Sequence, residues 1–333
     1  MNKIKKWFLW IFILSVMLIS TALFALSIGS SDVEIKLWDI PRLLFASDDS
    51  LERVILTQIR LPRVLLAIAI GGALSIAGVL LQGIFHNPLV EPYTLGISGG
   101  ATLGVAFCIF LKITNLSIYI LPLAGFVGSL SAVLIAYMMC SRYGRLNIQN
   151  LLLIGVMISF ICSSLVLLIM AIGTKQDLQS IIFWVMGSLD ESKNELIGLM
   201  LFTSIGGLIV SYIFCKALNA FSLGEEDARH LGIDTEKTKK RLFILASILT
   251  GFSVSVAGVI GFIGLAIPHI ARIIFGYDHR ILLITSFLMG AIFLILCDTT
   301  ARTIGPTPLP VGVITGIVGG SIFVYALTKR KLS

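Results

Sequence analysis

Between Arg63 and His86 the chain runs 22 residues without a charge, and that length lets a helix cross roughly 30 Å of hydrocarbon. Small residues recur four apart within the run, Gly71 with Ser75 and Ala73 with Ala77, and Gly78 follows. Such spacing stacks small side chains on one helix face, where another helix can approach closely. Pro88 and Pro92 then make helical continuation costly, and a second apolar stretch re-enters from Tyr93. Residues 60–100 therefore read as a membrane helix hairpin with a stiff polar elbow at His86, Asn87 and Pro88.

The rest of the chain repeats that chemistry. Charged residues make up 13% of it and hydrophobic ones 57%, against about 25% charge in a soluble domain. An all-α polytopic membrane protein is the class that fits. The net charge of +7 needs no nucleic acid, because cytoplasmic loops of membrane proteins collect Lys and Arg. Cys108, Cys140, Cys162, Cys215 and Cys297 lie in or beside apolar runs without a CxxC pair, so neither a metal site nor a disulfide framework is expected.

Apolar runs at 7–28, 61–84, 93–111, 118–140, 147–172, 194–215, 241–262, 263–276, 281–298 and 309–328 give about ten transmembrane helices, the eighth barely long enough. With the N-terminus inside, the C-terminus also returns to the cytoplasm. Most Lys and Arg then lie inside, including Arg142, Arg145 and 329–331, as the positive-inside rule requires. The 29–59 segment reads as an amphipathic stretch on the outer interface, and 174–192 as a short helix near the outer mouth. A shift of 180 residues superposes Gly71 on Gly251, Gly78 on Gly258 and Pro88 on Pro268. The second to fifth and seventh to tenth spans would then form an inverted repeat, a recurrent transporter plan. Gly155, Ser159 and Ser163 match Gly312, Gly316 and Gly320 as small-residue ladders for tight packing or a wide lumen.

The longest inner loop, 216–240, carries a short helix with an apolar edge at Leu223, Ala228 and Leu231. Ser222 with Glu225 is expected to form a capping box, and Gly232 to end the helix.

At this point the sequence resembles the FecCD family, permease subunits of ABC importers for iron–siderophores, haem and cobalamin. Arg60-Leu-Pro-Arg63, Gly78-x3-Gln82, Asn87-Pro-Leu89 with Pro92, Leu95-Gly96 and Gly100-Ala101 resemble its first signature. Leu223-Gly224 and Ala228-x2-Leu231-Gly232 resemble its ATPase-coupling loop. Gly258 through Arg272, Asp278-His-Arg280, Asp298-x3-Arg302 and Leu309-Pro-Val-Gly312 with Thr315 resemble its last signature. Departures are modest: His86 where Arg is usual, Val90 for Ala, Pro308 for an acid and Ser321 for proline.

The resemblance implies one permease domain over 1–333 in a bacterial or archaeal plasma membrane. It implies a second permease subunit, identical or paralogous, two cytoplasmic ATPase subunits holding ATP and Mg, and an extracytoplasmic substrate-binding protein. The cargo would be a metal chelate, an iron–siderophore first. No cofactor is expected on this chain, which has no GxxxxGK[ST]. Arg60, Arg63 and Arg302 would dock the binding protein through bidentate contacts; the competing readings make Arg60 and Arg63 snorkelling anchors and pair Arg302 with Asp298 four residues away. His86, Asn87 and Pro88 would serve as a satisfied turn or as a gate. Two other functions compete. An ion-coupled secondary transporter would need titratable groups at mid-span, and none is found there. An intramembrane serine protease is suggested by Gly96-Ile-Ser98-Gly-Gly100, with His269 as the one histidine able to approach.

Overall fold

The computed structural model describes residues 3–29, 35–45, 50–141, 148–190, 193–305 and 307–330; Arg142, Arg145 and Lys331 lie outside them. These residues form helices joined by short turns. The first is α1 (Lys3–Ser27). After α2 (Ile40–Phe45) the chain enters α3 (Leu51–Val54), a π-helical stretch (Ile55–Arg60) and α4 (Leu61–Phe85) without a break. α5 (Ile97–Phe110), α6 (Ile120–Ser141), α7 (Ile148–Ile172), α8 (Lys175–Met186) and α9 (Asn194–Ile213) follow. Two short helices, α10 (Cys215–Phe221) and α11 (Glu225–His230), lead into α12 (Thr235–Ala257). α13 (Ile263–Phe275), α14 (His279–Thr303) and α15 (Val311–Arg330) complete the fold.

Among the described residues, seven helical stretches are long and apolar enough to cross a membrane, and α5, α13 and α15 are shorter apolar helices. The expected boundaries shift where polar residues stay helical. α12 starts at Thr235 rather than 241, because Asp234 accepts a hydrogen bond from Lys237 N and caps the helix. It ends at Ala257, with Gly258 at φ +69. Pro268 lies inside α13 whereas Pro88 lies in the elbow, so the 180-residue shift pairs unlike positions at that end. Helix lengths still recur: 25, 14, 22 and 25 residues for α4–α7, against 23, 13, 25 and 20 for α12–α15.

α4 is the axis of the fold, almost wholly buried among α9, α12, α13 and α14. Glycine makes the closeness possible. A Cβ on Gly78 would sit 1.9 Å from the Gly264 carbonyl oxygen, and one on Gly290 1.9 Å from Ser75 Oγ. The expected small-residue face of α4 is thus the face on which α13 and α14 pack. Lipid offers no hydrophobic gain for helix association, so such van der Waals contact carries much of the packing.

Candidate functional site

The end of the bundle that carries α10 and α11 is tied together by side chains far apart in sequence. Asn219 Nδ2 donates to Asp278 Oδ1 at 3.0 Å, while its Oδ1 accepts from His279 N at 2.8 Å and faces His279 Nδ1 at 2.9 Å. His86, in the left-handed region at φ 49, ends α4 and places Nε2 2.7 Å from the Phe221 carbonyl. Asn87 Oδ1 accepts from Leu89 N at 2.9 Å. The elbow of His86, Asn87 and Pro88 is therefore a satisfied turn that also grips α10.

The capping box expected at Ser222 does not form. Ser222 closes α10 and its hydroxyl donates back to Leu218 O, while Gly224, at φ +127, opens α11. Glu225 instead binds Lys239, Arg229 and Thr235. Gly232, at φ +82, ends the α11 turn as expected, with Ile233 N donating to Ala228 O at 3.1 Å. Ala228 is fully buried, whereas Leu223 and Leu231 are 67% and 64% exposed. Two large apolar side chains stand out beside a short helix held from behind.

The Lys239 ammonium hydrogen-bonded to Glu225 holds its carboxyl below the usual carboxylate range, against the opposing effect of partial burial. The charged form is the paired one. Its contribution is fully present above an unfolded value of about 4.3 and is lost as pH falls through the lower folded value. Amide exchange across 225–233 is thus expected to quicken on acidification below about pH 4.3, and to be quick already at neutral pH in Glu225→Gln. Exchange equal in both proteins at every pH would exclude the pair as the clamp.

At the other end Arg60, Arg63 and Arg302 are brought together, but they turn inward. Arg60 is buried and donates to Leu26 O and Ser27 O at 2.8 and 2.7 Å. Arg302 Nε stands 2.9 Å from Asp298 Oδ2, and Arg63 bridges Asp298 at 3.5 Å to Asp190 at 3.3 Å. Direct docking of an external protein on these guanidiniums is not what this geometry offers. The pairing of Arg302 with Asp298 four residues before it is what forms. Only Asp190 is well exposed in the network.

A third feature escaped the sequence reading. The stretch 86–96, which holds one 3-10 turn at Pro92–Leu95, meets the non-helical 258–262 inside the bundle, where Val90, Leu95 and Ile260 are buried. Glu91 Oε1 accepts from Phe262 N at 2.7 Å, and Tyr93 Oη from Ile260 N at 3.3 Å. Gln82 Nε2 donates to Val90 O and Gly264 O, and Arg272 donates to Gln82 Oε1. Ser188 N donates to Ala257 O at 2.9 Å. Broken backbone is tolerated at membrane depth only where protein satisfies it, and these side chains do so.

The two ladders divide. Gly155 packs on the backbone of Thr94 and Leu95, and Ser159 on Gly99; Gly312 packs on Met186 and Val259, and Gly320 on the Phe262 ring. Gly316 alone faces open space, and Ser163 borders a cavity of about 480 Å³ with Ser98 and Thr102. That cavity has no histidine on its wall, and His269 lines a different one. The nucleophile and base of the protease reading are therefore apart.

Residues 16–329 match the FecCD transport family. The chain is 37% identical over 327 residues to the hemin transport system permease protein HmuU of Yersinia pestis, covering 96% of this chain and 95% of that one. It is 36% identical over 280 residues to the cobalamin import system permease protein BtuC of Halobacterium salinarum, covering 84% and 75%. A solved metal-chelate type ABC transporter in an inward-facing conformation superposes with a TM-score of 0.86 at 30% identity, over 96% of this chain and 98% of that one.

Proposed function

Because this chain belongs to the FecCD transport family, as a multi-pass permease subunit of an ABC importer in the plasma membrane whose ATPase is a separate subunit, we propose that it carries a metal chelate inward. An iron–siderophore is the first candidate, with haem or cobalamin as alternatives. The relatives' printed cargoes and the metal-chelate type neighbour support that class. Two permease subunits would enclose the passage, α7 and α15 lining it, with two ATPase subunits holding ATP and Mg on the cytoplasmic side. Both termini of the chain would be cytoplasmic. The recurrence of helix lengths supports a repeat of two halves, which would run in opposite directions if ten spans place their first helices five crossings apart. A binding protein would meet the exposed Asp190 edge of the arginine network rather than the buried guanidiniums.

The observation that carries the coupling role is the exposed pair Leu223 and Leu231 around buried Ala228. Exposed apolar surface rimmed by polar residues marks sites of contact with other proteins, and both leucines flank the polar Glu225–His230 helix. Leu223→Asp with Leu231→Asp is expected to abolish co-purification of the ATPase subunits and to bring ATP-dependent uptake to background, while detergent-extracted permease keeps its melting temperature. Undiminished co-purification would remove 216–240 as the coupling loop.

A further inference from the structure

Beside α10, where His86 meets Phe221 O and Asn219 meets His279, lies a cavity of about 380 Å³. Its wall includes Gln82, His86, Asn87, Ser222, Arg272 and His279. At on the order of 30 Å³ per water, it has room for an oxyanion together with part of its hydration shell.

Two features of the wall call for a ligand. Arg272 is a partly buried guanidinium that hydrogen-bonds Gln82. Among the described residues no carboxylate lies within ion-pairing distance of it. Burying a cation without a counter-ion is expensive. The second feature is His279, 4% exposed, whose Nε2 has no hydrogen-bond partner.

The network fixes which ring nitrogen of His279 carries the proton. The Asp278 carboxylate can only accept, so the Asn219 amide nitrogen must face it. Asn219 Oδ1 then faces His279 and already accepts from its backbone N–H. Nδ1 must therefore be the donor at 2.9 Å, which leaves Nε2 of the neutral ring as a bare acceptor. It stands over Gly83, also on the cavity wall, 3.5 Å from where a Cβ would be.

We propose that this cavity binds a protonated phosphate, either free or as a monoester headgroup. Arg272 takes the charge with its fork of N–H donors, and the P–OH donates to His279 Nε2, which is closed to solvent against Gly83 in this conformation and opens to the cavity as the ring shifts. The N-terminal end of the 25-residue helix α14 begins at this histidine and adds its positive dipole. Asp278 does not oppose the anion strongly, because its carboxylate turns to Asn219, to Lys3 at 3.6 Å and to Arg280 at 3.9 Å. A metal ion suits the site poorly: the fixed charge of Arg272 repels it, and among the described residues no three His, Cys, Asp or Glu converge. Sulfate carries no proton at neutral pH, so it offers nothing to a bare Nε2.

Hydrogen–deuterium exchange on the assembled transporter reads the site directly. Phosphate at ten times its Kd is expected to slow exchange about tenfold in peptides covering 82–92, 215–223 and 269–280, with sulfate at equal ionic strength giving none of it. Arg272→Gln should lose the protection and Arg272→Lys keep only part of it, since an ammonium supplies the charge without the fork; His279→Leu should erase the preference for phosphate over sulfate. Phosphate held by the ATPase subunits would protect those subunits and ignore all three substitutions. Reconstitution in phosphatidylcholine with and without phosphatidate, free phosphate being absent, separates the sources: protection by phosphatidate assigns a lipid headgroup, and protection by free phosphate alone assigns the ion. No phosphate-dependent protection, equal protection by sulfate, or protection unchanged in Arg272→Gln would each overturn the proposal and leave the cavity to water.

Discussion

Asp298→Ala is expected to cost about 3–5 kcal/mol, the usual loss when one partner of a buried ion pair is removed. Asp298 is 2% exposed and stands between the guanidiniums of Arg302 and Arg63. Without it Arg302 keeps, among the described residues, long contacts to Ala25 O, Ile28 O and Thr299 Oγ1, each 3.4 Å. Arg63 keeps Asp190, which is itself in water. Total stabilities of about 5–15 kcal/mol are typical, so much of the folded population would be lost. Thermal unfolding of the purified permease in detergent measures this.

The same network makes a second, less obvious statement. Replacing Arg63, Asp298 and Arg302 together by apolar residues of similar volume should restore much of the lost stability, because desolvation offsets most of the attraction in a buried network. A triple variant as unstable as Asp298→Ala would mean that the hydrogen bonds to the end of α1 matter more than the charges do. Either way, these residues join α1, α4 and α14 at one end of the bundle.

That inward use of the arginines marks a boundary of sequence reading. The i,i+4 spacing of Asp298 and Arg302 was legible, since helix geometry places such residues on one face. The position of Arg63 against Asp298 and Asp190 was not, because no local pattern joins residues that are 127 or more apart in the chain. The same holds for Gln82 with Arg272, Glu91 with Phe262 and Asn219 with His279, which are 190, 171 and 60 residues apart. Apolar runs located the helices well, because hydrophobic length is itself the constraint. They located the ends less well, because charged first turns such as Thr235–Lys240 stay helical outside any apolar window.

Capping shows the limit in miniature. Ser222-x2-Glu225 has the right letters, but Gly224 at φ +127 lets the chain turn before the helix starts. The real box is Thr174 with Asp177, where Thr174 Oγ1 accepts from Asp177 N at 3.2 Å and Asp177 Oδ2 accepts from Thr174 N at 3.0 Å. Both patterns were present in the sequence. What separates them is the backbone between the two members, which letters alone do not specify.

One methyl group should have opposite effects at two glycines of this chain. In Gly78→Ala the new Cβ would lie 1.9 Å from Gly264 O and 2.7 Å from its carbonyl carbon. Backbone cannot rotate aside, so α4 and α13 must separate, at a cost of about 1–3 kcal/mol or more for overpacking. The displacement reaches further than the contact, because Gln82 Nε2 donates to that same carbonyl oxygen at 3.1 Å and Arg272 donates to Gln82. Uptake should fall more steeply than stability, since the broken-backbone junction moves with α13. In Gly316→Ala the methyl meets nothing within 4 Å, and a helical glycine is replaced by the best helix former, a gain of about 0.5–1 kcal/mol. Melting temperatures and uptake rates of the two variants, side by side, test whether close contact or chain flexibility explains glycine in these helices. Equal losses at both positions would favour flexibility, and a loss at Gly78 beside a gain at Gly316 would favour contact. If Gly316 faces the passage between two subunits, its variant should gain stability and still transport more slowly, because the added methyl narrows the path that the cargo takes.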